Sequence, residues 1–150
     1  MGHAAIAGRY ARALMDVLTG EEKLTRIETD LATVSTLLEE HGDLREALDR
    51  ATLPQTRRRR VAEAVFRKTG VDPIVCRLMS LLAEQTREAL LPEIRESFRR
   101  LCDARRHILP AQVTTAVPLS QDQLEQYKLS LARLTGRQVR LKTEIDPAIL

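Results

Sequence analysis

Two segments carry apolar residues on more of their circumference than one buried stripe requires. Residues 4–18 are predicted to form a helix with two apolar sides. One side carries Ile6, Tyr10, Ala13, Leu14 and Val17, and a neighbouring side carries Ala7, Ala11, Met15 and Leu18. Residues 73 to about 86 form the second such predicted helix, which begins with Asp72 as N-cap and Pro73 at its first position, and which includes Leu78, Leu81 and Leu82. Because a helix that only seals a core needs one stripe, each of these two helices is predicted to offer a second surface.

Four further helices are predicted from periodicity and from capping residues. Residues 21–40 hold the clearest pattern, with apolar residues three and four apart at Leu24, Ile27, Leu31, Val34 and Leu38. This pattern lasts only about two heptads, which favours a bundle helix over a free-standing coiled coil. Gly42 is predicted to end that helix and Asp43 to cap a short third one. Six helices before residue 110, with short connections, predict an all-helical bundle.

The pattern changes at Pro110, and a different fold class is predicted from there on. Residues 112–117 suit a strand, Ser120 with Gln123 forms a capping box for a helix, and Gly136 ends that helix. Apolar and polar residues then alternate from Val139 to Ile145, which is the period of a strand. We therefore predict a six-helix domain over residues 1–109 and a small α+β domain, strand-helix-strand, over 110–150. Such a unit is marginal by itself, and the sequence ends in the apolar residues Ala148-Ile149-Leu150, so the second domain is predicted to be truncated.

Composition and candidate chemistry argue against an enzyme. The chain is 43% hydrophobic and 30% charged, and its three histidines lie on separate predicted elements. No phosphate-binding glycine loop, nucleophile motif or metal-ligand spacing is present, so no catalytic residue, metal or cofactor is predicted. Cys76 and Cys102 are predicted to be buried small side chains. The absence of a secretory pattern and of an 18-residue apolar run predicts a soluble protein in a reducing compartment.

The middle of the chain is its basic part, and four consecutive arginines stand at residues 57–60. Consecutive helical residues are about 100° apart, so the arginines spread around the helix instead of forming a stripe. A solvated helix start is the favoured interpretation. The alternatives left open are an acidic partner element and a nucleic acid bound through residues 57–68.

The two-sided apolar helices have three possible explanations. Both helices are central in the bundle, or they form a groove for an amphipathic helix of another protein, or they mediate self-association. The chain as a whole resembles the family of the δ subunit of bacterial F-type ATP synthases, which includes the oligomycin-sensitivity-conferring protein. The matching stretches are residues 5–14, with R-Y-A-R-A-L, then Leu91-Pro92, V-T-T-A-V-P-L-S at 113–120 and G-R-Q-V-R-L-K-T-E-I-D-P at 136–147.

The resemblance implies a noncatalytic stator subunit that ties the catalytic head to the peripheral stalk during proton-driven ATP synthesis and resists its torque. It implies that N-terminal helices of α subunits bind between the first and fifth helices, and that b subunits bind the C-terminal domain. It implies neither nucleic-acid binding nor membrane contact except through the complex, on the cytoplasmic side of the bacterial inner membrane. The predicted groove residues are Tyr10, Ala13, Leu14, Val17, Leu78, Leu81 and Leu82, and the predicted stalk-facing residues are Val139, Leu141 and Ile145.

Overall fold

The computed structural model describes residues 2–149 and confirms the predicted fold class: six helices followed by a strand-helix-strand unit. The helices are α1 His3–Val17, α2 Glu21–Glu40, α3 Gly42–Asp49, α4 Gln55–Lys68, α5 Pro73–Glu84, α6 Leu91–Arg105 and α7 Gln121–Thr135. The strands are β1 Leu109–Thr115 and β2 Val139–Ile145. The fold forms two compact units that divide between Leu101 and Cys102, inside α6. The division predicted between residues 109 and 110 falls instead inside β1, one residue after this strand begins.

The core of the first unit is built from the predicted apolar stripes. All five apolar positions of the α2 pattern are buried, so this helix packs as its periodicity indicates. α5 is the most enclosed helix, and Phe66 of α4 and Phe98 of α6 are completely buried. Buried side chains of α5 occupy several sides of the helix: Val75, Leu78, Met79, Ser80, Leu82 and Ala83. α5 is therefore the central element of the bundle.

The start of α5 is held by a group of charged side chains. The Asp72 carboxylate accepts the Ile74 N–H at 3.0 Å, as the predicted N-cap, and also accepts a hydrogen bond from the Lys23 ammonium of α2. Asp30 of α2 accepts the Asp72 backbone N–H at 2.7 Å. Burial would raise the pKa of Asp72, but the bonds from Lys23 and Ile74 and the charge of Arg26 hold this pKa below its ordinary value. α5 is thus anchored to α2 at its N-terminus.

The end of α5 is held by Arg58, which corrects the prediction of a solvated arginine run. Arg58 is 5% exposed, and its guanidinium donates to the carbonyls of Ala83 and Glu84, each at 2.9 Å. It also donates to the Leu53 carbonyl at 2.6 Å. The last carbonyls of a helix have no partner inside the helix, and a cation placed there also complements the helix dipole. Arg58 therefore caps α5 from the neighbouring helix α4.

Glu88 is a second charged side chain that the fold buries. It lies in a short 3₁₀ turn, Glu88–Leu90, and is 5% exposed. Its Oε1 atom is buried and, among the described residues, has no hydrogen-bond partner. Burial raises the pKa of this carboxyl and the negative charge of Asp49 raises it further, against the lowering effects of its own backbone N–H and of Arg58. The site therefore disfavours the charged form of Glu88.

Two predicted boundaries are wrong. Gly42, predicted to end α2, is the first residue of α3, and Asp43, predicted to cap α3, is its second residue, because α2 and α3 are joined through His41 alone. β1 was predicted at 112–117 but begins at Leu109 and includes Pro110. Proline is tolerated there because each strand of a two-stranded sheet is an edge strand.

The second unit is a parallel β-α-β arrangement. β1 and β2 pair in register from Leu109 opposite Val139 to Thr115 opposite Ile145, and α7 connects them. The capping box of Ser120 is confirmed, and Gly136 ends α7 in the left-handed conformation with φ 68°. Arg140 of β2 donates two hydrogen bonds, at 2.7 and 2.8 Å, to the buried carboxylate of Asp103. This bidentate pair fixes the start of β2 to the last turn of α6.

Arg58→Ala should lower the free energy of unfolding by about 3 kcal/mol, because it leaves the α5 carbonyls without their donor. Arg57→Ala is the matched control, since Arg57 precedes Arg58 and is exposed; its effect should stay within about 0.5 kcal/mol. Urea unfolding followed by circular dichroism measures both. Equal effects would contradict the capping role of Arg58.

Glu88→Gln should make the fold more stable at neutral pH, by about 1 kcal/mol, because a neutral amide avoids the desolvation of a carboxylate. A carboxyl whose pKa is higher in the folded than in the unfolded chain adds to the free energy of unfolding at low pH. This contribution is lost as the pH rises through the pKa of the folded state. The difference in free energy of unfolding between Glu88→Gln and the parent chain should therefore be small near pH 4 and larger at higher pH. Urea midpoints from pH 4 to 8 test this, with Glu93→Gln, at an exposed glutamate, as a control that should follow the parent curve.

Candidate functional site

The two predicted sides of α1 have different environments in the structure. Ala7 and Ala11 are completely buried, and Leu14 and Leu18 are nearly so, which gives one stripe packed on the bundle. On the other side Ile6 and Tyr10 are half-buried, Ala13 is exposed and Val17 is 62% exposed. α1 therefore has one face in the core and one apolar face left accessible.

Several of the predicted groove residues lie in the core. Leu14, Leu78 and Leu82 are between 0 and 6% exposed, because their helices turn these positions toward the bundle interior. These leucines belong to the core of the bundle and are not accessible to a partner. Leu81 of α5 is 48% exposed. The accessible set is thus Tyr10, Ala13, Val17 and Leu81.

A cavity lies on the accessible face of α1. Its volume is about 420 Å³, and it is lined by Ile6, Arg9, Tyr10, Ala13 and Arg87. The Arg87 guanidinium donates to the Tyr10 hydroxyl oxygen at 3.3 Å. The phenol thus acts as an acceptor toward Arg87, and its own O–H can still donate to a bound group. The site combines apolar side chains, a small side chain at Ala13 and two positive charges, those of Arg9 and Arg87.

Arg87 is a site residue that the sequence pattern did not reveal. It follows α5, where Thr86 has a φ of 54°, and its backbone N–H donates to the Leu82 carbonyl at 2.8 Å. This turn redirects the chain, so that the Arg87 side chain reaches Tyr10, 77 residues earlier. A cation in a turn is ordinarily solvated, and no periodicity marks Arg87 for a contact with α1.

The arginines at 57–60 do not form one basic surface. Arg58 is used inside the fold, and Arg59 pairs with Glu63 at 3.2 Å and with Glu84 at 3.8 Å. Arg57 and Arg60 are exposed beside a shallow groove that also includes Val61 and Ala64. Two of the four cations are therefore already committed to contacts within the protein.

The three predicted stalk-facing residues differ in accessibility. Val139 is 3% exposed and lies inside the second unit, since the start of β2 is covered. Leu141 is half-buried, and Ile145 is 52% exposed. No residue of α7 is buried, and this helix exposes Tyr127, Leu129 and Leu134. The accessible apolar surface of this unit therefore lies mainly on α7 and at the end of β2.

Among residues 2–149, no three histidine, cysteine or acidic side chains lie close enough to hold a metal ion. Cys102 is buried as predicted, and Cys76 is only partly so. In the same part of the chain, no helix has the length and apolar character needed to cross a membrane. The accessible α1 face and the cavity on it are the candidate partner site in the first unit.

Comparisons with known proteins agree with the resemblance. The family model described as ATP synthase delta (OSCP) subunit matches residues 6–150. ATP synthase subunit delta of Moorella thermoacetica is 31% identical over 150 residues, which cover all of this chain and 83% of that protein. The Myxococcus xanthus subunit is 32% identical over 152 residues, which cover all of this chain and 84% of that protein.

A solved structure has the same fold. A chain in the cryo-EM structure of the Toxoplasma gondii mitochondrial ATP synthase hexamer aligns with a TM-score of 0.67 at 20% identity. The alignment covers 93% of this chain and 78% of that one. Family membership follows from the match over residues 6–150 and from relatives that are more than 30% identical across the whole chain. This chain belongs to the ATP synthase delta (OSCP) subunit family.

Proposed function

We propose that the accessible face of α1 binds an N-terminal helix of an α subunit in an F-type ATP synthase. As a member of its family the chain is a linking subunit of the stator. Its own part is noncatalytic: it holds the catalytic head against the torque of rotation. The observation that carries the proposal is the apolar face of Tyr10, Ala13 and Val17, which remains accessible beside a cavity of about 420 Å³.

The composition of this face suits a helical guest. A guest helix approaches closely only where side chains are small, and the exposed Ala13 provides such a point between Tyr10 and Val17. Val17 and Leu81, exposed by 62% and 48%, offer apolar surface that an amphipathic helix can cover. Arg87 and the Tyr10 hydroxyl add polar groups at the rim, where they can orient the guest.

The second unit provides the proposed contact with the peripheral stalk. Leu141 and Ile145 remain candidates, whereas Val139 is replaced by the exposed apolar residues of α7 as contact surface. Binding of b subunits at this unit and of α subunits at α1 would place the chain between stalk and head. It would lie on the cytoplasmic side of the bacterial inner membrane, as a peripheral member of the complex. Such a connector requires slow dissociation from both partners instead of chemistry.

Ala13→Glu should weaken the binding of an α-subunit N-terminal peptide by about tenfold or more, because a longer charged side chain keeps the guest helix away. The matched control is Ala64→Glu, which makes the same change at an exposed position of α4 and should bind like the parent chain. Isothermal titration calorimetry gives both affinities, and circular dichroism confirms that both variants keep their helix content. Parent-like affinity for Ala13→Glu would contradict the assignment of the groove.

The same pair of variants tests the alternative partner surface at residues 57–68. If an acidic protein or a nucleic acid binds there, Ala64→Glu should weaken that binding and Ala13→Glu should not. Duplex binding would also fall steeply between about 50 and 200 mM salt, because contacts to several phosphates release counterions. We expect no such salt-dependent duplex binding, because Arg58 and Arg59 are committed within the fold.

A further inference from the structure

A second cavity lies away from α1, among residues that the proposed function does not use. Its volume is about 390 Å³, and α2, α3 and the start of α6 enclose it together with the Glu88–Leu90 turn. Leu38 and Leu91, both buried, and Pro92 give it apolar walls. It shares no lining residue with the cavity at Tyr10 and Arg87.

The polar lining of this cavity is mostly acidic. Glu39 of α2, Asp49 of α3 and Glu88 of the turn contribute three carboxyl groups, and Arg45 of α3 contributes one cation. The local charge balance therefore favours a positively charged ligand over an anion.

Glu88 distinguishes this cavity from an ordinary acidic surface cluster. It is only 5% exposed, and it is one of the residues that line the cavity. Its Oε1 atom has no hydrogen-bond partner within residues 2–149. A buried carboxyl oxygen without a donor is costly, and a donor supplied by a ligand would remove that cost. This oxygen atom is thus unsatisfied in the protein alone.

We propose that this cavity binds a primary alkylammonium group, with the Glu88 carboxylate as its counter-charge. The ammonium donates to Glu88, while Glu39 and Asp49 add to the negative potential. The apolar stem lies along Leu38 and Pro92, in the way that lysine side chains place their methylenes on apolar surface. A lysine side chain of a partner protein and a free diamine share this chemistry. The proposal does not depend on the function assigned to α1.

The proton and the ammonium compete for the same carboxyl group. Burial raises the pKa of Glu88, so part of the binding free energy at low pH is used to remove its proton. The groups that face Glu88 are Asp49 and Arg45 on α3, Arg58 on α4 and Glu39 on α2. Because the deprotonated Glu88 carboxylate is the proposed counter-charge, amine affinity should rise from pH 5 to 8.

The test is a titration of the full chain, labelled with ¹³C at its glutamate carboxyls, with 1,5-diaminopentane and with Nα-acetyl-lysine amide. We expect a saturable shift of the Glu88 resonance at pH 8, and no shift with the neutral analogue 1-pentanol. Glu88→Gln should weaken the amine affinity measured by calorimetry by about tenfold or more. Glu93→Gln, at an exposed glutamate that does not line the cavity, should bind within about twofold of the parent chain.

Each outcome decides the proposal. Tighter binding of the lysine derivative assigns the site to a protein side chain, and tighter binding of the diamine assigns it to a free amine. The proposal is overturned if neither amine gives a saturable shift, or if affinity is the same at pH 5 and 8. It is also overturned if Glu88→Gln binds as the parent does. The pH series on the parent chain decides the question even if a variant fails to fold.

Discussion

The central helix α5 is held at both ends by side chains from other helices, and the bundle is organised around this constraint. Asp72 caps its N-terminus and is itself bound by Lys23 of α2, while Arg58 of α4 takes the carbonyls at its C-terminus. Free helix ends carry unsatisfied backbone groups, which are costly when buried. α5 is enclosed on most of its sides, and the two side chains that cap it, Asp72 and Arg58, are themselves buried. Capping by Asp72 at one end and by Arg58 of the neighbouring helix α4 at the other therefore makes a buried central helix possible.

The position of the accessible surface follows from this arrangement. Just beyond the Arg58 cap, the chain turns at Thr86 and brings Arg87 to Tyr10 on α1. The residue that completes the α1 cavity is thus positioned by the end of the best-anchored helix. A guest helix that binds α1 would contact a surface whose polar rim is supported by the core, which limits the entropy lost on binding.

The fold could be predicted from the sequence to a large extent because its signals are local. Periodicity placed α2 on its observed bounds, and the Asp72 and Ser120 caps marked where α5 and α7 begin. The Arg58 contact could not be predicted, because it joins residues 25 and 26 positions apart and depends on how α4 packs on α5. An arginine run is normally solvated, so the composition predicted an exposed Arg58, whereas packing of α4 on α5 buries it.

The candidate site was predictable only in part, for a related reason. Apolar character identified α1 and α5 as helices with surplus surface, but it could not say which leucines the bundle itself covers. Leu14, Leu78 and Leu82 are covered, whereas Leu81 is not. Arg87 and Glu88 carried no periodic signal at all, since a charged residue in a turn is ordinarily exposed.

The two adjacent residues after α5 have opposite environments, and this contrast bears on how the subunit could carry load. Arg87 is exposed and reaches toward α1, whereas Glu88 is enclosed between α3 and the end of α5. A force applied to a guest helix on α1 would pass through Arg87 into a turn whose next residue is buried in the bundle. Packed interiors transmit strain with little deformation, so burial of Glu88 ties the segment that carries Arg87 to the bundle core. A stator subunit transmits load, and a partner bound at the proposed α1 surface would therefore be linked to the core through this buried residue.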